Sequence, residues 1–581
     1  MSARAGVLRA LFAACLLSGV VAADAAGATG DLVQKPGAAR CIAQGGNLCS
    51  VGTALDGAAS VALSPDGQNV YVASEGSDAV AVFDRSRNGR LTQKPGAAGC
   101  IAQIGGLCSV GTALDGAASV TVSPDGENVY VASSVSDAVA VLDRAADGTL
   151  TQKPGAAGCV QELALAPCVG GTALDGASSV AVSPDGQNAY VTSHSLFGGV
   201  AVFDRFRNGR LAQKPGAAGC IGDTAFPPCG GGTALRDASS VAVSPDGQSV
   251  YVTSDGPLSG VAVLDRAADG TLTQKRGAAG CIWDAGGLPP CRDGTTLEGA
   301  SSVAVSPDGQ DAYIASDISG AVTMFDRSPN GRLTAAACIT EPGLNCLGGT
   351  ALEGASSVAI SPDGQSAYVT SDRDILSAVA LFDRAPSGSL TQKPGLAGCI
   401  SGFLITCDSG TGVFGASSVA VSPDGKSAYV ASNLSDAVAI FDREDTTNPV
   451  LGDLEITPPG FPGARSGPSV AARVGANVSY RLSEAAAVRF TVGRAFRGRR
   501  VRGRCVRATR ANRRAQRCTR HQTLRGSFTH RSKTGLNSFT FSGRLRARRL
   551  QPGRYRLRAV ATDPAGNTSR PRRDRFRIIR R

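Results

Sequence analysis

Tryptophan, histidine and methionine are scarce in this chain, with one, three and two residues among 581, and aromatic residues make up only 5%. Chemistry that needs converging histidines is therefore disfavoured, because His194 stands far from His521 and His530 in the sequence. No apolar run after the first thirty residues approaches the ~20 residues needed to span a bilayer. Neither a Ser-His-Asp spacing, a P-loop nor a dinucleotide fingerprint is present. Lysine nearly disappears from residues 451–581, where Lys533 is the only one.

What is abundant is repetition. The tetrapeptide S-P-D-G begins at Ser64, Ser123, Ser183, Ser244, Ser306, Ser361 and Ser422. Each copy is followed by a tyrosine (Tyr71, Tyr130, Tyr190, Tyr251, Tyr313, Tyr368, Tyr429) and then by Asp-Arg, from Asp84-Arg85 to Asp442-Arg443. In the first repeat, residues 60–63 and 70–73 alternate small and apolar side chains around Ser64-Pro65-Asp66-Gly67, which is a hairpin with a proline-led turn. Third and fourth strands are expected at residues 79–84 and 91–94, giving four strands per unit and one propeller blade per repeat.

The fourth-strand pattern L-T-Q-K, or a near variant, follows only six of the seven hairpins, at Leu91, Leu150, Leu211, Leu272, Leu333 and Leu390. A seventh copy, Leu32-Val33-Gln34-Lys35, precedes the first hairpin. The expected fold is therefore all-β: a seven-bladed β-propeller over residues 27–445, with the N-terminal strand 31–35 supplying the outer strand of blade seven.

Arg4 and Arg9, the apolar run 10–23 and the small residues near Ala23 read as a secretory signal peptide over residues 1–26, with Cys15 inside the cleaved segment. A secreted or envelope-associated protein is expected, with no transmembrane segment after cleavage. The remaining cysteines form short pairs, one per repeat: Cys41 with Cys49, Cys100 with Cys108, Cys159 with Cys168, Cys220 with Cys229, Cys281 with Cys291, Cys338 with Cys346 and Cys399 with Cys407. Beyond the repeats, Cys505 is matched with Cys518. These spacings fit no common zinc motif, and export supplies an oxidising compartment, so disulfide staples are expected.

Charge divides the chain. Residues 451–581 carry 33 Lys and Arg against 5 Asp and Glu, whereas the preceding 450 carry 26 against 42. Residues 446–475 read as a linker and 476–581 as a basic module of half-buried strands. In residues 554–561, for example, Tyr555, Leu557, Ala559 and Ala561 share one face and Arg554, Arg556 and Arg558 the other. Residues 497–520 hold eleven arginines around the Cys505 and Cys518 pair and read as a stapled hairpin or loop. Because arginine binds carboxylates and phosphates bidentately, the expected partner is an anionic envelope polymer or glycan. Solvated surface charge and genomic base composition give an equally simple account of the same arginines.

The unit V-A-V-S-P-D-G-Q-N-V-Y-V-A-S…S-D-A-V-A-V-F-D-R…G-R-L-T resembles the repeats of secreted and surface YVTN-type propellers. It is also similar to the seven-bladed lactonase family typified by propeller-type 6-phosphogluconolactonase. The resemblance covers residues 31–445 and implies the fold, while the matching residues are the strand and turn residues that every such propeller needs. The run P-G-R-Y-R-L-R-A-V-A-T-D-P-A-G-N from Pro552 resembles the penultimate-strand region of bacterial immunoglobulin-like and fibronectin-like domains, which implies a C-terminal β-sandwich. Quinoprotein and sialidase propellers repeat a tryptophan in each blade, and Trp283 is alone.

Propeller sites form at one mouth of the channel. The loops there carry G-T-A-L-(Asp/Glu)-G or a variant, placing Asp56, Asp115, Asp175, Glu298 and Glu353 in five repeats, Arg236 in the fourth and Phe414 in the seventh. A ring of these five carboxylates could hold a hard cation such as Ca²⁺ or a cationic ligand. The plainer reading is Asp-Gly turn chemistry multiplied by duplication. His194 is placed on a loop at the same mouth, and Trp283 between Cys281 and Cys291 is either a ligand platform or packing for its own loop. Two functions follow: a binding scaffold whose ring face takes an unidentified small ligand or protein, or a secreted lactonase-like hydrolase in which a metal polarises a lactone carbonyl.

Overall fold

The computed structural model describes residues 30–580 except 47, 197, 224–227, 285–288, 342–345, 445–448, 471–474, 484–485, 534, 547 and 564–565. The expected signal peptide, residues 1–26, lies outside the described residues. No helix among the described residues is long and apolar enough to cross a membrane.

The chain is all-β, and its first part is a series of repeated sheets of propeller type. In the first repeat, Ala58–Leu63, Asn69–Ser74 and Ala79–Arg85 pair antiparallel in order. The expected fourth strand is split. Leu91–Gln93 pairs with the distal half of the third strand and Cys100–Ala102 with its proximal half, and Ser109–Val110 then adds in parallel. Gly96, at φ 58°, makes the break, since a left-handed glycine does not continue a strand; Pro95 reinforces it, although the fourth repeat breaks at Gly277 with Arg276 in the proline's place. Where both the proline and the glycine are missing, in the fifth repeat, Leu333–Thr340 runs as one strand with a bulge opposite Met324 and Phe325.

The motifs that repeat are the parts of one clasp. The arginine of each Asp-Arg donates from Nε to the tyrosine of the preceding repeat at 2.6–2.8 Å. Its Nη2 pairs with that repeat's S-P-D-G aspartate at 2.7–3.0 Å, as in Arg144–Asp66 and Arg443–Asp363. The tyrosine donates in turn to a glycine carbonyl of the following repeat, for example Tyr71 to Gly148 at 2.9 Å. Arg85 of the first repeat reaches Tyr429 and Asp424 of the seventh, so the chain of clasps has no end. Inner strands neighbour one another in the same cycle, and Ala416–Val421 returns to Ala58–Leu63.

The N-terminal strand takes part in this closure. Leu32 lies opposite Arg443, Val33 opposite Asp442 and Gln34 opposite Phe441, while Cys41–Ala43 pairs with the rest of the same strand, Ala437–Arg443. Lys35 pairs with Asp442 as Lys94 does with Asp84, and Gly30 supplies the carbonyl that Tyr368 requires.

Every expected cysteine pair is a disulfide. Within the repeats, Cys41 is bonded to Cys49, Cys100 to Cys108, Cys159 to Cys168, Cys220 to Cys229, Cys281 to Cys291, Cys338 to Cys346 and Cys399 to Cys407, with Cα separations of 4.7–5.0 Å. Cys505 is bonded to Cys518 at 6.0 Å. In the first repeat pair the reason is local: the parallel pairing of Ile101 with Ser109 sets Cys100 and Cys108, the residues just before them, side by side.

Residues 446–475 are not simply a linker. Leu451–Thr457 pairs with Ala476–Leu482, and Gly460–Pro462 pairs in parallel with Arg572–Ile579. Leu451, Ile456 and Phe461 enter a core with Val478, Phe490 and Leu557. Pro458, Pro459 and Gly460 interrupt the pattern, which is why the apolar positions were not legible as strands. Two sheets share this core: one of Leu451–Thr457, Ala476–Leu482 and Gly535–Phe541, the other built on Ala486–Val501, Arg517–Ser532, Gly553–Thr562 and Arg572–Ile579. Tyr555, near a strand start, donates to the Gln551 carbonyl at 2.6 Å.

Candidate functional site

In each repeat the turn before the inner strand, the loop after the second strand and the cysteine loop lie at one end of the sheet. The register requires it: Ala58 pairs with Ser74, Ser74 with Ala79, and Ala79 with Ala102. Asp56, Asp115, Asp175, Arg236, Glu298, Glu353, Phe414 and His194 are therefore all on this end.

Sharing an end does not bring the five carboxylates together. Among the described residues no three His, Cys, Asp or Glu side chains converge on a point that could hold a metal ion. Each acid sits in a turn, and in three the backbone is committed to a serine: the Asp56, Asp115 and Glu298 amides donate to Ser77, Ser136 and Ser319 hydroxyls at 3.0–3.1 Å. Phe414 does the same with Ser435 at 3.1 Å and stacks edge-on against Phe403. Glu353 pairs with Arg373 at 2.6 Å, and Arg236 lies 3.5 Å from its neighbour Asp237. Asp175 lines a cavity of about 470 Å³ with Asp137 and Glu162. There burial pushes the Glu162 carboxyl up, reinforced by the Asp175 and Asp137 charges.

Two features of this end were missed in the sequence. The first is the aspartate of S-D-A: Asp78, Asp137 and Asp436 accept the amides of Gly116, Gly176 and Gly57, each belonging to the next repeat's turn, at 2.8–3.0 Å. Burial and this Asp78 carboxylate together push Asp115 up. The signal was present in the repeated S-D-A triplet, but its cross-repeat target required the fold.

The second is the set of acids directly after the second strands, among them Glu75, Asp255, Asp317 and Asp372, which share that position with the expected His194. His194 Nε2 lies 2.9 Å from Asp255 Oδ1. That hydrogen bond raises the imidazole above its ordinary value against opposing burial, with help from the Asp255 and Asp237 charges. Burial pushes Glu75, Asp317 and Asp372 up; Asp255 adds to the shift at Asp317, and Asp317 to that at Asp372. The arrangement offers a histidine–carboxylate pair beside weakened acids. Trp283 is 5% exposed, pairs opposite Gly260 in its sheet and joins the core, so it packs its own loop.

The basic module has a separate candidate surface. Ala486–Val501 and Arg517–Ser532 are 16-residue strands paired from Ala486–Ser532 out to Arg499–Arg517. Arg504–Arg507 folds back on the first of them, and the Cys505–Cys518 disulfide ties this return strand to the second. The stapled element expected at 497–520 is thus a projecting three-stranded arm. Gly498 sits under the staple, where a Cβ would lie 2.7 Å from Cys505 Sγ. Arg497, Arg500, Arg502, Arg504, Arg507 and Arg510 are exposed. Among the described residues from 451 onward, Arg481–Asp453 at 3.8 Å is the only ion pair between side chains.

Neither a family model nor a curated protein sequence matches the chain. Among solved structures, hydrazine synthase of Kuenenia stuttgartiensis is similar with a TM-score of 0.44 at 20% identity, over 68% of this chain and 98% of that one. The periplasmic gluconolactonase PpgL of Pseudomonas aeruginosa is similar with a TM-score of 0.42 at 20% identity, over 63% of this chain and 88% of that one.

Proposed function

We propose that the chain is an exported binding scaffold: a disulfide-stapled seven-bladed β-propeller joined to an immunoglobulin-like β-sandwich whose arginine arm attaches it to an anionic polymer of the cell envelope. The observation that carries this reading is the arm itself. A protein gains nothing in stability by collecting exposed arginines on a stapled projection without carboxylate partners, since like charges in proximity repel. A polyanion supplies the missing counter-charge. Eight disulfides support an oxidising destination outside the cytoplasm, and the Tyr555 hydrogen bond to an upstream carbonyl supports the immunoglobulin-like assignment.

The test is binding of the full chain to poly(glycerol phosphate) at rising ionic strength. Affinity falls steeply with salt if counterions are displaced, and R499Q/R500Q/R502Q/R504Q weakens it. Absence of binding at low salt, or binding indifferent to salt, rejects the attachment.

The second reading, a lactonase-like hydrolase, draws on one observation, the His194–Asp255 pair at the ring end, which has the reach of a general acid–base. Turnover of non-phosphorylated sugar lactones by the full chain, abolished in His194→Asn, would establish it; equal rates in both proteins reject it.

A further inference from the structure

The last two strands of the sandwich pair arginine with arginine. Gly553–Thr562 and Arg572–Ile579 are antiparallel, with Arg554 opposite Arg577, Arg556 opposite Arg575 and Arg558 opposite Arg573. The alternate positions Tyr555, Leu557, Phe576 and Ile578 fill the core, so the six arginines share the outward face. Directly opposed like charges destabilise a sheet, and here three rungs of them follow in succession. The one carboxylate on these paired residues, Asp574, is spent on the Ile456 and Arg575 amides at 2.9 and 2.7 Å. Beside the ladder a cavity of about 390 Å³ is lined by His521, Arg554, Arg575 and Arg577, with Tyr555 and Phe576 at its apolar side. Burial holds the His521 imidazole low, and Arg556 and Arg575 add to that effect, so the face is cationic without it.

We infer that this arginine ladder, separate from the arm, is a binding track for a linear polyanion with regularly spaced oxyanions and no aromatic groups. The inference rests on the attachment reading above and gives it a second surface. Successive rungs lie ~6.7 Å apart along the strand and the two rails ~4.8 Å apart, so each rung presents two guanidinium forks to one oxyanion, a geometry suited to bidentate pairing. Single-stranded nucleic acid fits less well, because such binding uses open aromatic faces for stacking. The rings that touch the cavity, Tyr555 and Phe576, are only 2% and 3% exposed and stack on each other at 5.4 Å.

The experiment compares full-length protein, the ladder variant R573Q/R575Q/R577Q and the arm variant R499Q/R500Q/R502Q/R504Q. The probes are poly(glycerol phosphate), polygalacturonate and a single-stranded DNA oligonucleotide, each over a salt series. The ladder variant is expected to bind one or both polymers about tenfold more weakly at low salt, with the log–log salt slope shallower by about 2 for three lost contacts. Its melting temperature at low salt stays level or rises, because three like-charge oppositions are gone. Loss in phosphate binding alone, or in polygalacturonate binding alone, identifies the oxyanion. Unchanged polymer binding by the ladder variant, with loss in the arm variant, overturns the ladder and leaves the attachment reading standing. No polymer binding by the unaltered chain removes both. Tighter binding of DNA than of either polymer overturns the proposed ligand class. If the glutamine variant does not fold, R573K/R575K/R577K keeps the charge and loses the forks, and affinity equal to that of the unaltered chain then overturns the ladder.

Discussion

Arginine does opposite work in the two parts of the molecule. In the ring, each Asp-Arg arginine is nearly sealed, with side-chain exposure of 1–6%, and meets an aspartate and a tyrosine of the neighbouring repeat. In the sandwich, arginines line an exposed arm and a ladder where they face one another. The same side chain is a structural bolt where its partners come with the repeat, and an unmet charge where the sequence supplies five acids for 33 bases. Position within a closed set of partners, rather than residue type, decides whether a charge belongs to the fold or to a ligand.

The largest expected effect comes from breaking the ring's closure. Deleting residues 31–36 removes the strand Leu32–Gln34 and, among other contacts, five hydrogen bonds: Gln34 with both Thr411 backbone groups, Lys35 to Asp442 and to the Ile440 carbonyl, and the Glu444 amide to the Asp31 carbonyl. At about 1 kcal/mol for each net bond the loss is about 5 kcal/mol, measurable by denaturant unfolding. An unchanged unfolding midpoint would show that the ring is closed by other means.

A single clasp is the next step down. Arg443→Ala takes the sealed cation away from the buried Tyr368 and from Asp363, and breaking such a pair by removing one partner costs about 3 kcal/mol. Arg554→Ala, on an exposed rung, should shift stability by less than about 0.5 kcal/mol, as surface changes usually do. Equal losses in the two variants would erase the distinction between bolt and unmet charge.

How much of this was legible follows the same division. The period of S-P-D-G, tyrosine and Asp-Arg announced repeated sheets, because each motif has a local conformational reason. The staples, such as Cys100 with Cys108, were legible for the same reason: their partners lie within one loop. That Tyr71, Asp66 and Arg144 are one device could not be read, since the contact crosses 73 residues of sequence between tyrosine and arginine. Leu32-Val33-Gln34-Lys35 could be placed because its copies elsewhere had a known neighbour, Asp-Arg. Leu451 and Phe461 had no copies and stood among prolines, so their strands passed for a linker. Arg554, Arg556 and Arg558 were visible as one polar face, but the opposed Arg573, Arg575 and Arg577 emerge only from the register. The ring of acids was visible too, yet Asp56 and Glu298 are held by turn hydrogen bonds that spacing alone does not reveal.

Acid separates the two regions with a smaller effect per residue. Burial opposes ionisation of Asp66, Asp125, Asp185, Asp246, Asp308 and Asp424. The serine hydroxyls, turn amides and clasp arginines outweigh it and hold all six below the usual range. A depressed carboxyl contributes stability above its unfolded value near 3.9 and loses it as pH falls through the folded value. Glu75, Asp115, Glu162, Asp311, Asp317 and Asp372, raised chiefly by burial, have the opposite sign, their cost being relieved as they protonate. The raised acids give back their cost as pH falls toward the unfolded values near 4, whereas the depressed carboxyls lose their contribution below them, so the ring is expected to lose stability below about pH 4. The sandwich, with few carboxylates to protonate, should hold. Calorimetry from pH 6 to pH 3 checks this, and two regions melting in parallel would break the comparison.

The smallest effect tests whether any charge at the ring end behaves like those of the sandwich. His194 bridges the third and fourth repeats through Asp255, and its folded value lies above the ordinary imidazole value near 6.5. A raised histidine contributes stability that is fully present below its unfolded value and disappears as pH rises through the folded one. The melting temperature should therefore fall slightly between about pH 6 and pH 8, and His194→Gln should flatten that fall. The side chain is 52% exposed, so solvent screens the pair and the change stays within a degree or two in order of magnitude. A profile that is flat in the unaltered chain would mean that Asp255 holds His194 no more firmly than solvent holds the arginines of the arm. The ring end would then carry unmet charge of its own.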